Sequence, residues 1–509
     1  MRWCVVLALA AAGCGPVAPP ATVFYASGAD LQSINPLLTV HPLARQVQRY
    51  ALFLTLARYD SALVARPYLA ERWRWSPDRR ALELTMRRDV RWHDGAPTTA
   101  ADVAFTLNAA RDPATGYPRR SDLECLTDAR ATADATVRLT FCRPQPGFPD
   151  VLTDLAILPA HLLAALPHDQ LRRAAFNQRP VGNGPFRFVS YRPGQRWVFD
   201  ADPDFPAALG GPPGIRRLVV VVVDEAATKL AGLVTGELDV AGIQPMHAAL
   251  VRRDPRLAVV DYPILLTYGL VWNTGRPPFG DPRLRRALTL ALDRRAMVDA
   301  YLYGFGVVAD GPVPPWHPLA VPVDRVPFDR SASGALLDSL GWRLGADGWR
   351  RREGRPLAFT ILTVGAADNS LEQMIQSDFA AVGVNAHVRQ LELGAFLARA
   401  GGAARDYDAL VTGILGDLSL GYLHGLFDSR RLAEPLQYAQ YRNPAVDRAL
   451  DAGDLGQVQR IVARDLPITL LYHARGLEGL SRRVDGVRMD LRGELATLQQ
   501  WHIDPRARR

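Results

Sequence analysis

The sequence predicts an α/β fold in several lobes, on three observations. The chain has 509 residues with 48% hydrophobic side chains, too many for one core and ample for two or three. Strand and helix patterns are mixed along it without strict alternation. Residues 91–107, RWHDGAPTTAADVAFTL, join a strand end, a tight turn and a capped helix in one uncommon wording.

From the N-terminus, Met1-Arg2, an apolar run over 5–12 and the small pair Ala12-Gly13 make a secretory signal covering 1–13. Because Cys14 follows the small pair, the stretch resembles a lipoprotein signal, which implies diacylglycerol on Cys14. An ordinary signal peptide that happens to contain Cys14 is the alternative. Residues 14–21 then form a proline-rich tether. The apolar run is too short to span a bilayer, which needs about 20 residues.

Within 91–107, residues 90–93 end a strand, Asp94-Gly95 supplies a positive φ, and Thr99 with Asp102 forms a capping box. Val103, Leu107 and Ala110 share the following helical face. His93 and Asp94 are adjacent at a strand end, so they point to different sides and make a poor metal or acid/base pair. Next, Cys125 and Cys142 flank a hairpin turning near Ala133-Asp134-Ala135 and fall nearly opposite each other. In an exported chain that placement predicts a disulfide, with two free thiols as the alternative.

Further on, 186–191, 197–200 and 217–223 read as strands, the last buried on both faces. Residues 226–236 and 331–340 read as amphipathic helices. Asp281-Pro282 starts a helix whose Leu284, Ala287, Leu288, Ala291, Val298 and Leu302 keep one face until Gly304 stops it.

Charge excludes little but points away from nucleic acid. The net charge is +8 and Lys229 is the only lysine. The arginines are scattered among 52 acidic residues, without the clustered stripe that DNA binding needs. The densest runs, RRREGR at 350–355 and RARR at 506–509, read as a solvated turn and a chain end, with contact to anionic lipid as the other reading.

The 91–107 segment resembles the signature of the bacterial extracellular solute-binding proteins of family 5. The resemblance extends to PVGNGPF at 180–186, GLVTGELDV at 232–240, Trp272-Asn273-Thr274 with Pro278-Phe279, ALDR at 291–294, and the hairpin pattern from Leu336-Leu337 and Gly341-Trp342 to Leu357. It implies a two-lobed periplasmic-binding-protein fold of type II with an extra domain inserted in the first lobe. The first lobe would comprise 22–49, 177–263 and 472–509, the inserted domain 50–176 and the second lobe 264–471.

The resemblance also implies a ligand held between the lobes and paired with the strand at 408–413. Gly413 and Leu415 would offer backbone groups, with Ile414 between them, and Asp417 would meet an α-ammonium. The alternative for Asp417 is a turn cap with Ser419. Relatives often carry a tryptophan at the position of Ile414, and an aromatic followed by Asp-Pro where this chain has Leu418-Ser419-Leu420-Gly421. From the first lobe, Val40 and His41 would contact the ligand, or His41 would be a solvated loop histidine. Trp272 and Tyr268 are either pocket aromatics or core.

The implied function is the substrate-binding component of an ABC importer that captures a peptide or peptide-like solute. It would be exported, lipid-anchored at a periplasmic or cell-surface membrane, monomeric, and partnered by permease and ATPase subunits. A ligand sensor, or a carrier of an oligosaccharide, opine or metal chelate, uses the same fold. No catalytic motif of a hydrolase, no phosphate loop and no paired histidines at metal spacing occur, so neither catalysis nor a cofactor is expected.

Overall fold

The computed structural model describes residues 21–506 apart from 32, 40, 366–368 and 403; the signal segment, Cys14 and Val40 lie outside the described residues. The first lobe opens with strand β1 (Thr22–Ser27) and helix α1 (Pro42–Val47). An antiparallel sheet follows, built from β2 (Ala70–Trp75), β3 (Ala81–Met86), β4 (Leu126–Ala133) and β5 (Thr136–Phe141), with helix α2 (Ala100–Arg111) between β3 and β4. Strands β6 (Phe186–Arg192), β7 (Arg196–Ala201) and β8 (Arg217–Val222), helix α3 (Ala226–Thr235) and β9 (Val240–Gly242) return to the first lobe.

The long strand β10 (Leu257–Trp272) leads into the second lobe. There the chain adds α4 (Pro282–Leu290), β11 (Gly306–Val308), β12 (Ala358–Val364), α5 (Ser370–Ala380), β13 (Asn385–Leu391), β14 (Ala409–Leu415) and α6 (Tyr422–Phe427). The equally extended β15 (Ile468–Ser481) leads back. Among the described residues one eleven-stranded sheet runs through both lobes in the order β13-β12-β14-β10-β15-β9-β1-β8-β7-β6, with β11 beside β15.

The boundaries expected at 263/264 and 471/472 therefore fall inside β10 and β15, which pair antiparallel from Leu257↔Ser481 to Val271↔Ile468. Their register slips between Pro263 and Thr267 and again between Tyr268 and Gly269. Such irregularities bend and twist a ribbon locally. At the first slip Thr267 Oγ1 and His473 Nδ1 lie 2.8 Å apart. Burial pushes the His473 imidazole down to about 3, so it is neutral.

The 91–107 segment folds as a turn and capped helix. Gly95 stands at φ +93° and the Thr99 amide donates to Asp102 Oδ2 at 2.7 Å. Instead of ending a strand, 90–93 make only a bridge between Arg91 and Pro97, because β3 already stops at Met86. The segment is bound to the PVGNGPF turn: the His93 amide donates to the Gly182 carbonyl at 2.7 Å, and His93 Nε2 lies 3.0 Å from the Gly184 carbonyl. A side chain at Gly182 would put its Cβ 2.0 Å from the Leu52 carbonyl, which explains the glycine. Trp92, Phe53, Phe186 and Trp197 share one buried cluster, so the inserted residues and the first lobe have a common core.

Cys125 and Cys142 form a disulfide with Cα atoms 5.0 Å apart, just before the Leu126↔Phe141 pair of the β4–β5 hairpin. Of the strand predicted at 217–223, Leu218, Val219 and Val220 are buried while Val221 and Val222 are half-buried. The helix predicted to run from 282 to 302 is interrupted. Helix α4 stops at Leu290, and Asp293 caps a new turn by accepting from the Ala296 amide at 2.9 Å. The break lets Arg294 reach inward to the carbonyls of Ala309 and Leu470, at 2.7 and 3.0 Å. In RRREGR, Arg350 is likewise buried, with Nε 2.7 Å from the Val382 carbonyl, so only the rest of that run is a solvated hairpin.

Candidate functional site between the lobes

The geometry of β14 decides where its backbone points. It pairs antiparallel with β10, Leu266 opposite Leu415 and Trp272 opposite Ala409. The Asn273 amide donates to the Asp408 carbonyl at 3.0 Å, and the Gly416 amide donates to the Leu265 carbonyl at 2.7 Å. Since inward and outward groups alternate along an antiparallel strand, residues 408, 410, 412, 414 and 416 face β10. Gly413 and Leu415 therefore turn their N–H and C=O to the other edge. On that side β12 pairs with β14 only at Ile361↔Ala409 and Leu362↔Leu410. No described strand covers Gly413 or Leu415, and the Gly413 carbonyl meets only the Thr412 hydroxyl at 3.5 Å.

Leu415 is 67% exposed, whereas Ile414 is 8% exposed and packs with Leu410 and Tyr422 on the opposite face of the sheet. Alternation thus turns the backbone groups of Ile414 toward β10 and puts its side chain on the face opposite that of Leu415. Trp272 takes the core reading of the two that the sequence left open. It is fully buried, stacks on Phe279 at 5.1 Å and donates its indole N–H to Thr469 Oγ1 at 2.9 Å. Tyr268 is half-buried beside Gly413 and stacks on Tyr472 at 5.1 Å.

Just past the open edge, Asp417 caps the turn into α6. Its carboxylate accepts from the amides of Ser419, Gly421 and Tyr422, each at 3.0 Å, and from the Ser419 hydroxyl. The capping role weighed in the sequence is thus present, and Ser419 is part of it. The charge of the same carboxylate reaches Asp122 and Asp150. Burial pushes the Asp150 carboxyl up to about 6, and the charges of Asp417 and Asp154 add to the shift. Asp122 is raised by burial and by the same two charges, although Arg119 opposes them.

Beneath these carboxylates, Asp154 accepts the guanidiniums of Arg45, Arg49 and Arg119. Burial works against its ionisation, but the three cations hold Asp154 well below the usual carboxylate range. Arg119 also pairs with Asp122 at 2.5 Å. Asp150 accepts the Tyr59 hydroxyl. On the second-lobe side, the buried His317 has Nε2 3.2 Å from the Leu418 carbonyl, and burial lowers its basicity. From the first lobe, His41 caps α1 by accepting from the Ala44 amide at 3.3 Å, and burial lowers its basicity.

Sequence reading missed Arg119, Asp122, Asp150 and His317, which sit in short turns and irregular segments. The one local signal was the Arg119–Asp122 spacing of three residues, common on any helical turn. Two surface recesses, about 850 Å³ beside Leu162 and Phe176 and about 420 Å³ beside Asn273 and Arg405, do not include the open edge. Among the described residues no group of three His, Cys, Asp or Glu is placed to hold a metal ion, and no helix is long and apolar enough to cross a membrane.

The family model for bacterial extracellular solute-binding proteins, family 5 Middle, matches residues 65–428. The chain belongs to this family. The family 5 protein is 30% identical over 468 residues to Protein XP55 of Streptomyces lividans, covering 88% of this chain and 83% of that one. It is 25% identical over 474 residues to the oligopeptide-binding protein AppA of Bacillus subtilis (strain 168), covering 89% and 86%.

The structure of AppA from Bacillus subtilis in complex with a nonapeptide aligns with a TM-score of 0.78 at 23% identity, covering 95% of this chain and 99% of that one. NikZ from Campylobacter jejuni in complex with Ni(L-His) aligns at 0.80 and 22% identity, covering 95% and 100%. The fold of the family 5 protein is therefore the two-lobed, type II periplasmic-binding-protein fold, and its role is solute binding.

Proposed function

We propose that this protein is the substrate-binding component of an ABC importer, taking an extended peptide between its lobes and delivering it to a membrane permease. The observation that carries the reading is the open edge of β14, where no described strand pairs with Gly413 or Leu415, immediately before Asp417. An extended peptide satisfies such an edge by strand addition whatever its side chains, which suits a carrier of many sequences. Its α-ammonium would lie between Asp417 and the inserted-domain carboxylates Asp150 and Asp122, each charge offsetting the other's desolvation. His41 would stand at the first-lobe margin of the same site.

Closure excludes water from those polar ends and presents a joined surface to the permease. The signal segment with Cys14 supports export and lipid attachment, so that the protein works at the outer face of a membrane. The names of the relatives, an oligopeptide-binding AppA and a probable di/tripeptide-binding protein of Pseudomonas aeruginosa, favour peptide over other solutes.

Native mass spectrometry of the protein purified from its own host, followed by denaturation, tests the reading. A heterogeneous set of short peptides is expected. A single solute without a free amine would overturn the Asp417 assignment and leave only the carrier role.

A further inference from the structure

The alternation that opens the β14 edge also fixes which side chains of the ligand meet which wall, and this inference rests on the peptide reading above. A peptide whose ammonium lies at Asp417 runs back along the edge antiparallel to β14. Its first residue then sits opposite Leu415 and its third opposite Gly413, because outward-facing positions recur every second residue. Past Gly413 the edge is soon closed by the Leu362↔Leu410 pairing with β12, so the third residue is the last to pair fully.

Cross-strand partners place their side chains on one face of the sheet. At Gly413 that face is formed by β10. A Cβ on Gly413 would lie 3.3 Å from the ring of Tyr268 and 3.2 Å from Leu266 Cδ1, so these two side chains already lie over the glycine. The ring is held from behind by Tyr472, at 5.1 Å and 26° between planes. A ligand side chain opposite Gly413 thus meets an aromatic ring, the Leu266 side chain and the exposed Leu415 on the same face.

Helix α5 packs here, with its Leu371 and Ile375 in the cluster that Tyr268 lies against. Glu372 on α5 is buried, with Oε1 2.6 Å from the Thr363 hydroxyl, and its charge adds to the burial that raises the Tyr268 phenol. An acidic ligand side chain there would be repelled as well as desolvated, whereas an apolar one gains ring contact. We propose that Tyr268 determines specificity at the ligand's third residue, selecting apolar or aromatic side chains against acidic ones.

Titration calorimetry with Ala-Ala-Phe, Ala-Ala-Leu and Ala-Ala-Asp tests this on the wild-type protein and on Tyr268→Phe and Tyr268→Ala. The wild type and Tyr268→Phe are expected to bind the Phe and Leu peptides about tenfold or more tighter than the Asp peptide, with the ratio falling below about threefold in Tyr268→Ala. Equal affinities on the wild type overturn the proposal and leave the peptide reading standing, and this arm needs no variant to fold. A preference that survives in Tyr268→Ala overturns it too. No binding of any of the three, with a non-peptide solute released by denaturation, removes the peptide reading and this inference together.

Discussion

The charge of Asp417, on the turn after β14, adds to the burial that raises the Asp150 carboxyl to about 6. Arg119 feels the same Asp417 charge with the opposite sign and offsets part of that repulsion. A ligand cation between the two carboxylates removes the rest, which couples occupancy to closure in the proposed function.

The linkage gives a stability test. The folded value of Asp150 lies above its ordinary 3.8, so between those values the native state holds the extra proton and loses stability as pH rises. Asp150→Asn keeps an acceptor for Tyr59 and removes the charge. With a discount for partial exposure, it should stabilise the ligand-free protein by about 1 to 2 kcal/mol at neutral pH and by nearly nothing in acid. Urea melts at the two pH values measure the difference, and an equal gain at both would contradict it.

Asp417 carries two roles that variants can separate. Asp417→Asn retains an oxygen to accept from the Ser419 and Gly421 amides but loses the charge. Affinity for an amine-bearing peptide should fall by roughly 2 to 5 kcal/mol. Asp417→Ala should lose the same affinity and, in addition, about 1 kcal/mol of stability from the missing cap. Unaltered affinity in Asp417→Asn would assign the residue to the turn alone.

Trp272 answers to stability and not to ligand. Its full burial against Phe279 and Phe359 predicts that Trp272→Ala destabilises by about 3 to 5 kcal/mol. Trp272→Phe, which keeps most of the packing and loses the bond to Thr469, should bind the wild-type ligand unchanged. Weakened binding in a stably folded Trp272→Phe would return the residue to the site.

The Cys125–Cys142 disulfide closes a loop with a sequence separation of 17. Replacing both cysteines by serine should cost about 3 kcal/mol on the chain-entropy account. Since the hairpin shares a core with the first lobe, the loss is expected in the main thermal transition, with no separate earlier one. A new low-temperature transition in calorimetry would show that the inserted residues melt on their own.

What the sequence made legible was local. The Thr99–Asp102 capping box and the cysteine hairpin are set by local backbone demands and are found where predicted, whereas the glycines of PVGNGPF answer to the distant backbone of Ala51 and Leu52. The helix from 282 to 302 misled because its apolar spacing continues through a break that Asp293 and the inward reach of Arg294 impose from the tertiary structure. Asp150 and Arg119 were invisible for a related reason: their chemistry arises from burial against elements distant in sequence. Ile414 shows the converse, since a single step along a strand reverses both side chain and backbone.

The strands β10 and β15 belong to both lobes at once, and this has a practical corollary. Neither half can be cloned apart without tearing a ladder of backbone hydrogen bonds. Anyone converting this protein into an optical reporter should therefore leave the ribbon intact and place the fluorophores on opposite rims of the cleft. In the proposed closure the ribbon would act as a leaf spring, with the slips near Thr267, where its ladder is interrupted, as the thin section.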